Sequence, residues 1–271
     1  MLENKVIIDE MANIIDQNSQ NNSEYKVEGV QYIGTREDQE DTILTLTQTD
    51  QILTCLADGI GGLEFGEIAS ALSCKTVLES YLMAEKINSD FLLDAYNKAD
   101  RNVQDFAKKK NLKGSGCTLV TVCINKNEMF YCSIGDSSLF LYRDKKIKRI
   151  NRQHNYKLYL DDLLSKQQIS DFDYQNNLNK KDVVISYIGK GDISLIDYNK
   201  EAFLLKPGDV IIMCSDGVFN AMDENMLLEV VKKNPNPATI NTSVMNLIKI
   251  KRNIKQDNSS IISIYKGGNK E

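Results

Sequence analysis

From Val27 onward the chain alternates short apolar runs with polar turns. The first three runs, VEGVQYIG, TILTLTQ and QILTCLA, are of strand length and rich in β-branched residues. Two helices are predicted next. The first starts near Gly66 and pairs Ile68 with Leu72, Val77 with Tyr81 and Leu78 with Leu82 at helical spacing. The second starts at a cap, Asn88 or Ser89, carries Leu92, Ala95, Ala99, Val103 and Phe106 on one side, and closes on a solvated lysine run. Strands resume at CTLVTVCIN, MFYCSIG, SSLFLYR and IKRIN, which read as an antiparallel meander. Residues 155–190 are polar, with a weak helical period at Leu158, Leu163 and Leu164, and read as a mobile insert. Beyond them lie EAFLLK, the turn Pro207-Gly208-Asp209, the buried strand VIIMC, two helices and a final strand, SIISIYK.

Strands, two helices, strands, two helices and a strand do not alternate as a doubly wound parallel sheet requires. The order predicts an α+β fold instead: a four-layer αββα sandwich, two antiparallel sheets facing each other between helix pairs. Residues 26–267 read as a single domain with 155–190 as a flap-like insert. Residues 1–25 end in the polar stretch DQNSQNNSEY and read as an arm or loop, with KVIIDEMANII as a short strand or helix turn against the body. The tail, 268–271, is expected to fray.

Composition narrows the function classes. At 271 residues and 42% hydrophobic, the chain can bury a substantial core. A net charge of -5 leaves no basic stripe for a nucleic-acid backbone, so no nucleic-acid role is expected. No membrane role is expected either, because the longest apolar runs, such as Val210 to Cys214, fall far short of the roughly 20 residues that cross a bilayer. The start, MLENKVIIDEM, places acids where a secretory signal carries positive charge, so a cytoplasmic protein is expected. The six cysteines show no C-x-x-C pair and read as small core residues. With one histidine, His154, neither a His/Cys zinc site nor a Ser-His-Asp triad is supported. His154 itself reads as a surface or loop-packing residue, and Ser215, with no base nearby, as a hydrogen-bonding turn residue.

What remains is a set of acids at the edges of apolar runs: Glu40 with Asp41, Asp58, Asp136, Asp216 and Asp257. Carboxylates gathered from distant segments repel unless something positive sits among them, and oxygen-only clusters select hard cations such as magnesium and manganese. In LTCLADGIGG an apolar strand delivers Asp58, and Gly59 leaves its carbonyl unobstructed; VIIMCSDG repeats the device with Asp216. Taken singly, each is an ordinary strand-end turn. Arg36, read as lying on a short strand, falls on the same face as Glu40, where a guanidinium can grip a phosphate.

Together these segments resemble the metal-dependent PPM, or type 2C, serine/threonine protein phosphatases, bacterial branch, from about Val27 to Tyr265. The likeness rests on R-x-x-x-E-D at Arg36, Glu40 and Asp41, D-G-x-G-G-x-x-x-G-E-x-A-S from Asp58 to Ser70, and Gly114 to Thr118. It continues through G-D-S at Gly135 to Ser137, P-G-D and C-S-D-G between Pro207 and Gly217, and D-N at Asp257. The resemblance implies a binuclear Mn2+ or Mg2+ site at the sheet edge. Asp58 would bridge the metals, the Gly59 carbonyl would help hold one, and Asp216 and Asp257 would bind the other. Asp136 with Asp216 would bind a third, weaker metal. Glu40 and Asp41 would act through metal-bound waters, and Arg36 would hold the phosphate while a metal-bridging hydroxide attacks it directly.

The resemblance further implies a monomer acting on phosphorylated proteins and opposing a cognate serine/threonine kinase, with the insert beside the active site affecting substrate choice. Ile60 replaces a histidine that many eukaryotic members carry as general acid, Gln39 an asparagine, Ser138 an arginine and Gln153 an aspartate; none of these removes a metal ligand. The competing expectations are a silent pseudophosphatase that binds phosphoproteins and a partner-switching phosphatase dedicated to one regulator.

Overall fold

The computed structural model describes residues 2–20, 22, 24–251 and 253–268. Helix α1 (Leu2–Asn18) leads into β1 (Tyr25–Tyr32), β2 (Thr42–Thr47) and β3 (Gln51–Ala57), then α2 (Gly66–Met83) and α3 (Ser89–Lys109). Strands β4 (Leu119–Asn125), β5 (Glu128–Ile134), β6 (Ser138–Arg143) and β7 (Lys146–Arg149) follow, then α4 (Tyr156–Ser165) and α5 (Asp171–Asn177). The chain closes with β8 (Asp197–Tyr198), β9 (Phe203–Leu204), β10 (Val210–Cys214), α6 (Glu224–Lys233), α7 (Pro237–Lys251) and β11 (Ser259–Lys266).

One sheet runs β1-β11-β10-β6-β7 and the other β2-β3-β4-β5-β8, with β9 pairing β5. Three apolar layers fix the stacking. Leu53, Cys55, Leu119 and Cys123 pack under α2 and α3; Ile52, Leu56, Val120, Met213 and Ile262 fill the space between the sheets; Ile212, Phe140 and Ile261 meet α6 and α7 through Leu227, Ile240 and Val244. At roughly 1.5–3 kcal/mol for each fully buried large side chain, these layers outweigh any surface ion pair. The architecture is the αββα sandwich expected from the element order, and all six cysteines lie in its interior as free thiols.

Four expectations change. The arm is largely helical: α1 turns Met11 inward, with Ile7, Ile14 and Ile15 half-buried beside it, a spacing that the polar residues around it obscure. The meander does not exist as one unit, because β5 and β6 belong to opposite sheets. The chain crosses between them at Gly135, whose φ of +97° suits glycine and whose Cβ, if present, would lie 2.6 Å from Thr118. Residues 33–41 form a loop, not a strand. Backbone Thr35 N–H donates to Gln256 O, and Asn258 Nδ2 donates to Ile33 O and Asp38 O, so β11's entry shapes that loop. The insert contains α4 and α5, anchored chiefly by buried Leu160. Residues 269–271 of the tail lie outside the described residues, and among the described residues no helix is long and apolar enough to cross a membrane.

Candidate active site

Strand register gathers the acids at one end of the sandwich. Thr42 pairs with Ala57, which sets Asp41 beside Asp58. Cys214 pairs with both Ile261 and Ser138, which brings Asp216, Asp257 and Asp136 to the same end of the other sheet. The result is a cleft of about 340 Å³ lined by Arg36, Glu40, Asp58, Gly59, Asp136, Asp216 and Asp257, with Thr118, Ile60, Gly61 and Asp182–Val184 completing its walls. Asp41 lies behind this lining, set beside Asp58 by the β2–β3 register, and the two buried carboxyls influence each other's ionisation. A larger cavity of about 600 Å³ between α1, α2 and α3 is mainly apolar and gathers no comparable chemistry.

Backbone and side-chain hydrogen bonds hold each acid. Gly59 N–H donates to Glu40 O at 3.1 Å, Thr118 N–H to Asp58 O at 2.8 Å, and Asp58 N–H to Thr118 Oγ1 at 3.1 Å. Glu40 N–H donates to Asn258 Oδ1 at 2.8 Å. Ser215 and Ser260 both donate to Asp41 Oδ2, at 2.9 and 2.6 Å. Arg36 pairs with Asp257. His154 is fully buried, correcting the surface reading in favour of loop packing: its backbone N–H donates to Gly135 O at 2.8 Å, and its ring Nδ1 accepts Gly135 N–H at 3.2 Å.

Electrostatically the cleft is under strain. Burial pushes Asp41 up to about 6, although Ser260 and Ser215 pull the other way. Burial, then the charge of Asp216, lifts Asp136 to about 7. Asp58 rises well above the usual carboxylate range through burial and the charges of Asp41, Asp216 and Asp136. Asp216 has surface open to water, yet the surrounding protein and the charge of Asp257 raise it too. Glu40 is raised by burial and then by Glu67.

Hard cations fit this donor set. All the acidic donors are oxygens, burial disfavours their ionisation, and Asp41 Oδ1 is buried without a hydrogen-bond donor. Among the described residues, no three acidic, histidine or cysteine side chains are already arranged as a coordination shell. The fit therefore rests on donor chemistry.

All eight residues singled out in the sequence meet here. Four others carried weaker signals or none. Asn258, which holds Glu40, and Thr118, which lines the cleft, lie within the D-N and Gly114–Thr118 motifs, whereas Asp182 and Val183 come from the insert, where nothing in the local pattern marks them.

The protein phosphatase 2C family matches residues 29–242. The chain belongs to this family, and is thus a phosphatase. Asp257 and α1 lie outside the matched span. The serine/threonine phosphatase stp of Listeria welshimeri is 24% identical over 190 residues, 68% of this chain and 73% of that protein. Among solved structures, the Streptococcus agalactiae serine/threonine phosphatase superposes with a TM-score of 0.76 at 21% identity, covering 89% of this chain and 99% of the other. The catalytic domain of the phosphatase PstP, solved with two manganese ions, gives 0.70 at 19% identity, covering 90% and 99%.

Proposed function

We propose that the acidic cleft hydrolyses phosphoserine and phosphothreonine monoesters on proteins and releases inorganic phosphate, opposing a kinase in the cytoplasm as a monomer. The observation that carries this reading is the meeting of Asp58, Asp136, Asp216 and Asp257 with Arg36 in one cleft, within a family of phosphatases. Asp58, the Gly59 carbonyl, Asp216 and Asp257 would hold two Mn2+ or Mg2+ ions, and Asp136 with Asp216 a weaker third. Such ions supply positive charge that neutralises a phosphate dianion and makes water more acidic.

The chain's own groups do the rest. Arg36 leaves Asp257 to grip the substrate's phosphate oxygens, a match that its planar fork favours. Ser215 and Ser260 keep Asp41 ionised and oriented behind Asp58. Glu40, tethered through its backbone to Asn258, orients water at the cleft. Ile60 offers no proton, so the leaving alkoxide takes one from water or a cleft carboxyl. Residues 182–184 face the polypeptide around the phosphorylated side chain.

The test is hydrolysis of a phosphothreonine peptide with manganese, with EDTA, and by Asp58→Ala and Asp216→Ala. Activity only in the manganese-loaded wild type is expected; activity that survives chelation or either substitution defeats the proposal. A pseudophosphatase would bind the peptide without releasing phosphate.

A further inference from the structure

Asp100, on α3, is buried, and the chemistry above does not use it. Its Oδ1 accepts the backbone N–H of Gly189 at 2.7 Å and of Gly191 at 3.2 Å; its Oδ2 accepts Gln104 Nε2 at 2.6 Å. A carboxylate that takes several hydrogen bonds in a buried setting fixes their donors firmly.

Those donors sit where the insert returns to the body. Gly189 has a φ of +99°, and a Cβ there would lie 2.8 Å from Val103 Cγ1 on α3 and 2.3 Å from Ser115 O in the loop beyond it, so the chain turns tightly against both at this point. Just before it, Ile188 and Cys117 exchange backbone hydrogen bonds at 2.9 and 3.1 Å, and Cys117 is bridged in turn to Gly59. On the other side, Ile185 N–H donates to His154 O at 2.9 Å and Tyr156 N–H to Val183 O at 2.8 Å. The returning limb is therefore stitched to the Gly59 loop and to the base of the insert. Its leading residues, Asp182, Val183 and Val184, form a wall of the cleft, with Val183 57% exposed.

We propose that Asp100 is a positioning residue for the phosphatase reaction. By clamping Gly189 and Gly191 it holds the 182–184 wall against the polypeptide that flanks the phosphorylated side chain, so it governs recognition of phosphopeptides more than hydrolysis itself. This rests on the phosphatase reading above. A substrate too small to touch the wall is indifferent to the clamp; a peptide is not.

The experiment compares wild type, Asp100→Ala and Asp100→Asn, manganese-loaded, on a phosphothreonine peptide and on p-nitrophenyl phosphate, with hydrogen exchange followed over residues 181–191. For Asp100→Ala, the peptide KM rises about tenfold with kcat held within about twofold, and kcat/KM for p-nitrophenyl phosphate stays within about twofold. Exchange over 181–191 quickens at least about tenfold, while β4 is unchanged. Asp100→Asn keeps an acceptor for the glycine amides and restores most of the peptide KM. An unchanged peptide KM overturns the proposal, as does unchanged exchange, or a loss of equal size on both substrates. If the wild type hydrolyses neither substrate, the phosphatase reading fails, and the exchange data still decide the clamp.

Discussion

Ser215, just past the end of β10, donates its hydroxyl to Asp41 Oδ2 at 2.9 Å, tying an acid at the edge of one sheet to a strand of the other. Ser260 on β11 reinforces it at 2.6 Å. Both hydrogen bonds favour the ionised carboxylate against the burial that opposes it. Ser215→Ala and Ser260→Ala should each cost about 1 kcal/mol of stability and raise the manganese concentration for half-maximal activity by roughly three- to tenfold. Urea unfolding and metal titration would check both, and an unmoved titration would mean that Asp41 is not tuned through these hydroxyls.

The metal-free protein should become more stable as it is acidified. Asp41 near 6 and Asp136 near 7 bind protons in the folded state well above the ordinary carboxylate range. Between about pH 4 and pH 7 the folded chain thus holds more protons than the unfolded one, and stability falls as pH rises through that window. Over the full window Asp41 contributes on the order of 3 kcal/mol and Asp136 on the order of 4. In EDTA, thermal melting temperature should climb from pH 8 to pH 5. Added manganese should stabilise most above pH 7, where these carboxylates are ionised. A flat metal-free profile would contradict the electrostatic picture of the cleft.

Arg36 and Asp257 pair across the mouth of the cleft. Removing the guanidinium by Arg36→Ala should lower kcat/KM on a phosphopeptide by roughly 10²- to 10³-fold, and Arg36→Lys should recover only part, because a point charge replaces a planar fork. The same Ala variant frees Asp257, so manganese affinity should hold or improve. A fall in both together would show that Arg36 serves the fold instead of the substrate.

His154 lies behind the sheet crossover, where its Nδ1 accepts the Gly135 amide next to Asp136. His154→Phe fills much of the space but leaves that buried donor unpaired, at a cost of about 1–3 kcal/mol. The expected outcome is a lower melting temperature and a weakened response to high manganese concentrations. A variant as stable as wild type would mean that water or a neighbour takes over the bond.

Much of this was legible in the residues. Element order set the layers, helical spacing located α2, and Asn88 caps α3 by accepting Phe91 N–H, as its position suggested. The acids stood out because each follows or precedes an apolar run, and strand register does the rest. Long-range partnership was not legible. Nothing local says that β5 and β6 part company at Gly135, that Asn258 reaches back to shape the loop carrying Arg36, or that Asp182 arrives at the cleft from a polar insert. For α1 the residues allowed only a short strand or a helix turn, because its buried side, built on Met11, is narrow, and exposed Val6 and Ile8 on other faces blur the helical period.

The pairing of β1 with β11, Tyr25 opposite Lys266, has a consequence for when the enzyme comes into being. Asp257 precedes β11, so it joins Asp58 only after β11 has been made and has paired with β1. Contacts of such sequence separation form slowly and late. Until β11 is in place the cleft lacks Asp257, and the loop that carries Arg36 lacks the Asn258 hydrogen bonds that shape it, so the acidic cluster is among the last features of the fold to close.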